Sequence, residues 1–233
     1  MSVLVEVWGD FACFSRTEMK AERVSFDVIT PSAARGLLEA IYWHPGLNWS
    51  VDRIYVLAPI RLEKQTVEDT ENLESAEIKM TSIKRNEVNA KISASSVKKV
   101  MVNGEGSLYL NTAAERSQRS SLILQDVHYV LEAHFDMTSN ASPGDNPGKF
   151  QDIMKRRLKK GQCYHQPYFG CREFPAHFRE WEGGSIPAIP LTKDLGYMLH
   201  SMDYSDPTEI RPRFFRAQIK DGVLDLRDCE VVM

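Results

Sequence analysis

The segment "DVHYVLEAHFDM" (residues 126–137) decides our prediction of the fold, because its alternating pattern is typical of a β-strand. Apolar side chains occupy every second position and predict one face: Val127, Tyr129, Leu131, Ala133, Phe135 and Met137. Mostly polar side chains occupy the other face, namely His128, Glu132, His134 and Asp136. The sequence therefore predicts a strand here with one face turned towards a core.

A helix is predicted directly after this strand, over "NPGKFQDIMKRRLKKG" (residues 146–161). Asn146 is suited to the N-cap, and Pro147 to the first helical position, where its missing N–H costs nothing. Gly161 is suited to the position just past the end. Four apolar residues at helical spacing predict its buried stripe: Phe150, Ile153, Met154 and Leu158.

Similar signals precede the central strand. Residues 3–8, "VLVEVW", predict a strand, and Thr30 followed by Pro31 predicts the start of a helix that ends before Pro45. Residues 54–62 alternate and contain Pro59, which predicts a strand near a sheet edge. Residues 63–120 are polar and weakly periodic, and we interpret them as a long insertion with some hairpin character.

The last part of the chain completes the predicted fold. Residues 168–178, "YFGCREFPAHF", resemble a further strand, which gives the order β-α-β-β-α-β of a ferredoxin-like domain. The segments "DLGYMLHSMDY" and "RFFRAQIKDGVLDL" predict a small antiparallel sheet, with a tight turn at Asp221-Gly222. We therefore predict an α+β protein with a ferredoxin-like domain at 1–182, including the insertion at about 63–120, and a small β domain at 183–233.

The composition is that of a globular protein: 42% of residues are hydrophobic, 26% are charged and the net charge is −3. No segment approaches the ~20 apolar residues of a membrane span, and the N-terminus lacks the basic region of a secretory signal. The four cysteines have no CxxC spacing, so we expect neither structural zinc nor disulfides. These features predict a cytoplasmic protein.

Positive charge is concentrated in a few segments. Residues 146–161 hold six Lys and Arg against one Asp. A favourable interaction with the helix dipole explains about two of these cations better than it explains five. A second basic cluster lies within residues 78–101. Solvated faces and polyanion binding both explain one such run, but several together favour nucleic acid. The predicted RNA-binding residues are Lys84, Arg85, Lys91, Arg116, Arg119, Lys155, Arg156, Lys159 and Lys160.

The chain lacks the motifs of metal-dependent nucleases and NTPases, including a Walker loop, HExxH and DxD-type clusters, and it lacks the RNP consensus. RNA cleavage without metal needs a base for the 2′-hydroxyl, a cation for the phosphorane and an acid for the leaving oxygen. Tyr42, His44 and Lys149 have suitable side chains. Because two helices of a ferredoxin-like fold pack on one face of the sheet, we expect these residues to converge. Each also has a purely structural explanation.

Seven segments together carry a resemblance to a known family: "WGDFACF", "PSAARGLLEAIYWHP", "IKRNEV", "LQDVHYVLEAHF", "GKFQDIMKRRLKKGQ", "YFGCREFPAHF" and "DLGYML". In this order they are similar to the Cas-five protein of type I-C (Dvulg) CRISPR systems, in the RAMP superfamily. The resemblance implies a ferredoxin-like domain and a small C-terminal sheet. It further implies an endoribonuclease without metal or other cofactor that cuts CRISPR repeat RNA, leaving a 2′,3′-cyclic phosphate and a 5′-hydroxyl.

The resemblance also implies site residues. The family's Tyr in "IYW" corresponds to Tyr42, and its Lys in "GKH" corresponds to Lys149. The following His is absent, because this chain has Phe150 there. Either another group substitutes, with His44 the nearest candidate in sequence, or proton transfer depends less on that His. Weak or lost activity is a further alternative.

Two functions follow as hypotheses. The first is a repeat-specific nuclease that binds the repeat RNA hairpin, stays on the 5′ handle of the guide RNA and joins the other subunits of the surveillance complex. The second is an RNA-binding subunit without catalysis, which Phe150 favours. A third possibility is duplex-DNA binding by the same basic surface, with sequence-tolerant and salt-dependent affinity.

Overall fold

The sheet is organised around β5, a 22-residue strand that contains the segment used to predict the fold. The computed structural model describes residues 2–19, 22–57, 80–88, 91–104, 108–206 and 208–232. In chain order the elements within these ranges are β1 Val3–Ala12, β2 Arg23–Val24, α1 Pro31–Ile41, β3 Leu47–Val56, β4 Met80–Val88, α2 Ala94–Asn103, β5 Arg116–Met137, α3 Pro147–Lys160, β6 His177–Glu180, β7 Lys193–Asp203, β8 Arg211–Lys220, β9 Val223–Asp225 and β10 Val231–Val232.

The strands form one mixed, mostly antiparallel sheet. β1 and β3 flank the second half of β5, with Val3 opposite Ala133 and Leu47 opposite Met137. β6 pairs with the free side of β1, and β9 pairs with β3 at Ile54. The order along the sheet is therefore β6-β1-β5-β3-β9-β8-β10, and the short β2 adds a parallel pairing with β5. The protein is a mixed α/β structure with an antiparallel framework.

Helices α1 and α3 begin as the sequence predicts. The Thr30 side chain accepts a hydrogen bond from the Ala33 amide at the start of α1. Asn146 caps α3 in the same way, and Gly161 ends it with φ +61. Both helices bury their apolar stripes in the core cluster that includes the inward-facing residues of β1 and β5. They therefore cover the same face of the sheet.

Two strand predictions need correction. β3 begins at Leu47 rather than residue 54, and residues 58–62 of the predicted strand lie outside the described residues. The prediction of a strand over 168–178 is wrong for residues 168–176, because the observed strand β6 covers His177–Glu180. Residues before it form a loop in which Phe169 and Phe174 are buried. Gly170 turns this loop at φ +77, where a Cβ would lie 2.1 Å from the Cys13 carbonyl oxygen. Loop residues filling the core thus produced an apolar pattern that resembled a strand.

Part of the predicted insertion is described. β4 runs antiparallel to the first half of β5, from Met80 opposite Leu124 to Val88 opposite Arg116, in agreement with the expected hairpin character. α2 lies between these two strands in the chain. Residues 63–79, 89–90 and 105–107 of the insertion lie outside the described residues.

The C-terminal strands agree with the prediction for their segments. β7 pairs with β8, and Asp221 and Gly222 form the predicted tight turn with φ values of +48 and +75. β9 pairs with β8 and β3, so these strands continue the sheet of the N-terminal part. The division at residue 182 stays a prediction.

Candidate active site

Tyr42 lies where α1 ends and the chain becomes extended. Its ring contacts the edge of Phe150, with centroids 6.1 Å apart, and the Arg157 guanidinium lies 4.9 Å from the ring centroid. The residue is 4% exposed. Burial raises the pKa of Tyr42, and the positive charge of Arg157 offsets this only in part. A phenol in this environment stays protonated at neutral pH, so it is better suited to donating a hydrogen bond than to acting as a base.

Lys149 is held by a carboxylate at the start of α3. Its Nζ lies 2.7 Å from Asp145 Oδ1, and its side chain is 49% exposed. The Asp145 side chain is only 2% exposed and also accepts a hydrogen bond from the Ser142 amide. The hydrogen bond from Lys149, followed by that from Ser142, lowers the pKa of Asp145. Asp145 is therefore ionised at neutral pH and holds the Lys149 ammonium at the helix start.

His44 approaches the same carboxylate from the segment that follows α1. Its Nε2 lies 3.7 Å from Asp145 Oδ2. The Gly46 amide donates to Nδ1 at 3.1 Å, which assigns the proton of a neutral imidazole to Nε2, on the side of Asp145. We refer to His44, Asp145 and Lys149 as the Asp145 cluster.

The structure brings the three sequence-predicted catalytic residues into one region. Phe150 joins two of them, because its ring contacts Tyr42 and lies 4.9 Å from the ring of His44. Phe150 is itself fully buried and also contacts Phe135 of β5, as its place in the apolar stripe predicted. The side chain at this position thus belongs to the core, whereas His44 and Lys149 are accessible.

Sequence reasoning missed Asp145, although a signal was present. Asp145 precedes the N-cap and stands four residues before Lys149, a spacing at which opposite charges pair across a helix start. It also missed the role of Arg157, which donates to the Ile41 carbonyl oxygen at the end of α1. That hydrogen bond gives this one cation of the basic helix a structural function.

The predicted RNA-binding cations of α3 are exposed: Lys155, Arg156, Lys159 and Lys160. Lys149, Arg156 and Lys160 are spaced by seven and four residues, so they share one stripe of the helix. This stripe extends from the Asp145 cluster to the last turn of α3, over ~16 Å.

The predicted cations of the insertion form a separate group. Lys84 and Arg116 are exposed on β4 and β5, Arg119 is half-buried and Lys91 is exposed just before α2. Arg85 is paired opposite Arg119 in the backbone, but its side chain lies outside the described residues. From Arg119 to Met137, at the end of β5 near the Asp145 cluster, the strand path is about 60 Å. The structure therefore does not gather all predicted cations at one place.

The described ranges contain no group of three His, Cys, Asp or Glu side chains suited to a metal ion. They also contain no helix with the length and apolarity that crossing a bilayer requires.

Comparison with known proteins gives a consistent result. The family model described as CRISPR-associated protein (Cas_Cas5), Cas_Cas5d, matches residues 2–227. A Mannheimia succiniciproducens protein named CRISPR pre-crRNA endoribonuclease Cas5d is 46% identical, over 96% of this chain and 94% of that protein. A Thermus thermophilus protein of the same name is 39% identical, over 95% and 90%.

Solved structures share the fold. The crystal structure of a CRISPR-associated protein has a TM-score of 0.66 at 21% identity, and covers 100% of this chain and 97% of its own. The functionally uncharacterized protein SMU1763c of Streptococcus mutans has a TM-score of 0.64 at 20% identity, with the same coverage.

Proposed function

Because the chain belongs to the Cas5d family of CRISPR-associated proteins, the type I-C branch of Cas5, we propose that it is a pre-crRNA endoribonuclease. The observation that carries the proposal is the Asp145 cluster: an ammonium and an imidazole meet on one carboxylate beside a tyrosine, at the junction of two helix ends. The names of the two relatives support the same activity.

We also propose that the fold is ferredoxin-like in detail. Two observations support this: β6-β1-β5-β3 is an all-antiparallel order, and α1 and α3 connect β1 to β3 and β5 to β6. A β-α-β-β-α-β unit with this order pairs its first and third strands at the centre. The helix ends that carry the Asp145 cluster are then the C-terminus of the first helix and the N-terminus of the second.

In the proposed reaction the 2′-hydroxyl oxygen attacks the adjacent phosphorus. The new P–O bond closes a 2′,3′-cyclic phosphate, and the bond from phosphorus to the 5′-oxygen breaks. The 2′-hydroxyl proton leaves to solvent or a base, and the 5′-oxygen takes up a proton to become a hydroxyl. No metal ion is required, because the residues provide both a cation and a proton donor.

Each residue has a proposed part in this reaction. The Lys149 ammonium stabilises the negative charge that develops on the phosphorane oxygens. As an imidazolium, formed when Nδ1 also takes up a proton, His44 protonates the leaving 5′-oxygen through Nε2, the nitrogen that faces Asp145. Tyr42 orients the phosphate as a hydrogen-bond donor, since burial raises its pKa. Asp145 orients both Lys149 and His44.

This assignment accounts for Phe150. A fully buried Phe150 has no proton to transfer, but its ring supports both Tyr42 and His44. We therefore propose that His44, from the end of α1, replaces the family's His from the start of α3. The exposed cations of α3 and of the β4–β5 pair bind the repeat hairpin and the 5′ handle of the guide RNA, with the chain as one subunit of the surveillance complex.

The test is incubation of the pure protein with its own repeat RNA in EDTA, followed by analysis of the product ends. We expect one cut with a 2′,3′-cyclic phosphate and a 5′-hydroxyl. RNA carrying a single 2′-deoxy nucleotide at the cut site should bind with unchanged affinity and remain intact. Equal cutting of the deoxy RNA would contradict attack by the 2′-hydroxyl.

The second candidate function is RNA binding without catalysis, which the burial of both Phe150 and Tyr42 favours. It predicts tight binding of the hairpin and intact RNA after hours with or without EDTA. Duplex-DNA binding is tested with the same protein, by competition between repeat RNA and a duplex DNA of random sequence over a range of salt concentrations.

A further inference from the structure

Three aromatic side chains form an exposed group beside the candidate active site. The rings of Trp43 and Tyr164 have centroids 6.1 Å apart at an interplanar angle of 32°. Those of Tyr164 and His165 are 5.6 Å apart. Trp43 is 50% exposed and Tyr164 is 63% exposed. The group therefore presents a continuous aromatic surface to solvent.

The position of this surface is fixed by backbone hydrogen bonds. The Tyr164 amide donates to the carbonyl oxygens of Ala40 and Ile41, and the His165 amide also donates to Ala40. Arg157 contributes a further hydrogen bond to the Ile41 carbonyl oxygen. The segment after α3 is thus attached to the last turn of α1, at the two residues that directly precede Tyr42.

Packing does not explain these rings. Single exposed aromatics are common on protein surfaces and need no function. Here, however, Trp43 and Tyr164 contact each other outside the core, and neither belongs to the core cluster. Two large aromatic rings in contact on the surface expose apolar area, and burying that area would stabilise the protein or a complex.

The surroundings indicate which ligand fits. Trp43 stands in sequence between Tyr42 and His44, and Tyr164 follows the last turn of α3, which carries the exposed Lys160. The stripe of Lys149, Arg156 and Lys160 therefore runs from the Asp145 cluster to the C-terminal end of α3, and Tyr164 lies just after that end. Flat aromatic surfaces bordered by cations bind single-stranded nucleic acid, since bases stack on the rings and phosphates contact the cations.

We propose that Trp43 and Tyr164 form a stacking platform for unpaired RNA bases next to the bond that is cut. This inference rests on the proposed function, since it concerns the RNA bound at that site. Stacking of a neighbouring base holds the nucleotide at the Asp145 cluster in one orientation, and the cations of α3 bind the intervening phosphates. The platform recognises base planes rather than base edges, so it tolerates different bases while requiring that they be unpaired.

The first experiment measures the affinity for repeat RNA with a 2′-deoxy nucleotide at the cut site, by fluorescence anisotropy. We expect Trp43→Ala and Tyr164→Ala each to weaken binding by about 5-fold or more, as loss of one base stack does. Trp43→Phe retains a ring and should stay within about threefold of wild type. The control is Tyr197→Ala, because Tyr197 is 64% exposed on β7, and it should bind as wild type does.

The second experiment identifies the stacked base. Single abasic nucleotides are placed at each unpaired position flanking the cut, and each RNA is tested with wild type and Trp43→Ala. At the stacked position the two changes should not be additive, since both remove the same contact. Strict additivity at every position, or unchanged affinity of both alanine variants, overturns the proposal. Alanine variants that bind RNA normally but fail to join the surveillance complex also overturn it, in favour of a protein contact.

These outcomes separate the platform from the proposed function. The deoxy RNA is not cut, so its binding tests the platform whether or not the protein is a nuclease. If the wild-type protein cuts repeat RNA and the alanine variants bind it with unchanged affinity, the proposed nuclease function stands and the stacking platform is rejected. A protein that never cuts, but loses affinity in Trp43→Ala, retains the platform as part of an RNA-binding subunit.

Discussion

Two nearly buried carboxylates in this protein each contact a cation and a histidine. Asp145, with a side chain 2% exposed, contacts Lys149 and approaches His44. Glu6, with a side chain 4% exposed, contacts Arg179 and His128. We call Glu6, Arg179 and His128 the Glu6 cluster. The residue types are matched, but the two clusters occupy different places in the fold.

In the Glu6 cluster, the side chains form hydrogen bonds to one another between strands of the sheet. Both Glu6 oxygens accept from Arg179, and His128 Nε2 lies 2.8 Å from Oε1. Arg179 is directly opposite Glu6 in the β1–β6 pairing, and its guanidinium also lies 5.2 Å from the Trp8 ring centroid. Three neighbouring strands are connected in this way. Its charges are satisfied by one another, which is typical of a structural network.

The Asp145 cluster is less completely satisfied. Lys149 makes one contact with Asp145, and His44 remains 3.7 Å away. The Lys149 side chain is about half exposed, so its remaining N–H groups are available to a substrate. Comparison of the clusters thus separates a role in stability from the proposed role in catalysis, although the charges are the same.

The largest expected effect is that of Lys149→Ala. Removing the ammonium removes stabilisation of the phosphorane, and we expect the single-turnover cleavage rate to fall by about 10²–10³-fold. Affinity for the deoxy RNA should change by only a few-fold. Arg179→Ala, the matched change in the Glu6 cluster, should leave the cleavage rate of folded protein unchanged. Equal losses of rate and affinity in Lys149→Ala would instead indicate a role in positioning RNA.

The histidines provide the next comparison. His44→Ala removes the proposed proton donor, and we expect the cleavage rate to fall by about 10²-fold. His128→Ala should cut at the wild-type rate, because its partner Glu6 belongs to the sheet. An RNA with a 5′-thio leaving group, which needs no proton, should restore cutting by His44→Ala. If that RNA is cut no faster than normal RNA by His44→Ala, His44 is not the acid.

Phe150→His tests whether the Asp145 cluster has replaced the family's histidine. The side chain is fully buried against Tyr42, His44 and Phe135, so the new imidazole enters an apolar site. We expect the free energy of unfolding to fall by about 2–4 kcal/mol, with no gain in cleavage rate. Urea denaturation and single-turnover cleavage measure the two effects. A faster nuclease would show that the α3 position still has access to the substrate.

Local sequence signals predicted well the helix limits that support the candidate active site. Asn146, Pro147 and Gly161 fixed the limits of α3, and Thr30 and Pro31 fixed the start of α1, because caps act within one turn. The convergence of Tyr42, His44 and Lys149 then followed from the expected packing of two helices on one face.

Features that depend on distant contacts were not predictable in this way. The spacing of Asp145 from Lys149 indicates a local ion pair, but the approach of His44 to the same carboxylate depends on the packing of α1 beside α3. Trp43 and Tyr164 are about 120 residues apart, so their contact depends on the attachment of Tyr164 to α1. The loop at 168–176 was predicted as a strand because burial of Phe169 and Phe174 produces the same apolar pattern.

The smallest expected effect concerns stability and its dependence on pH. Burial raises the pKa of Glu6, but hydrogen bonds from Arg179 and His128 outweigh it, and the pKa lies below its usual value of about 4.5. A lowered pKa in the folded state means that Glu6 stabilises the fold above about pH 4.5, and that this contribution is lost as the pH falls through the folded value. Glu6→Gln should therefore lower the free energy of unfolding by about 1–3 kcal/mol at pH 5.

That difference between wild type and Glu6→Gln should shrink as the pH falls below about 4.5 and through the lowered pKa of Glu6, since Gln does not titrate. Urea denaturation followed by tryptophan fluorescence measures it at each pH. Asp145→Asn is the matched variant. It should cost less stability than Glu6→Gln, because Asp145 accepts two hydrogen bonds, from Lys149 and the Ser142 amide, whereas Glu6 takes part in three. It should nevertheless slow cleavage, which Glu6→Gln should not. A stability difference for Glu6→Gln that grows on acidification, or slower cutting by folded Glu6→Gln, would contradict the separation of the two clusters.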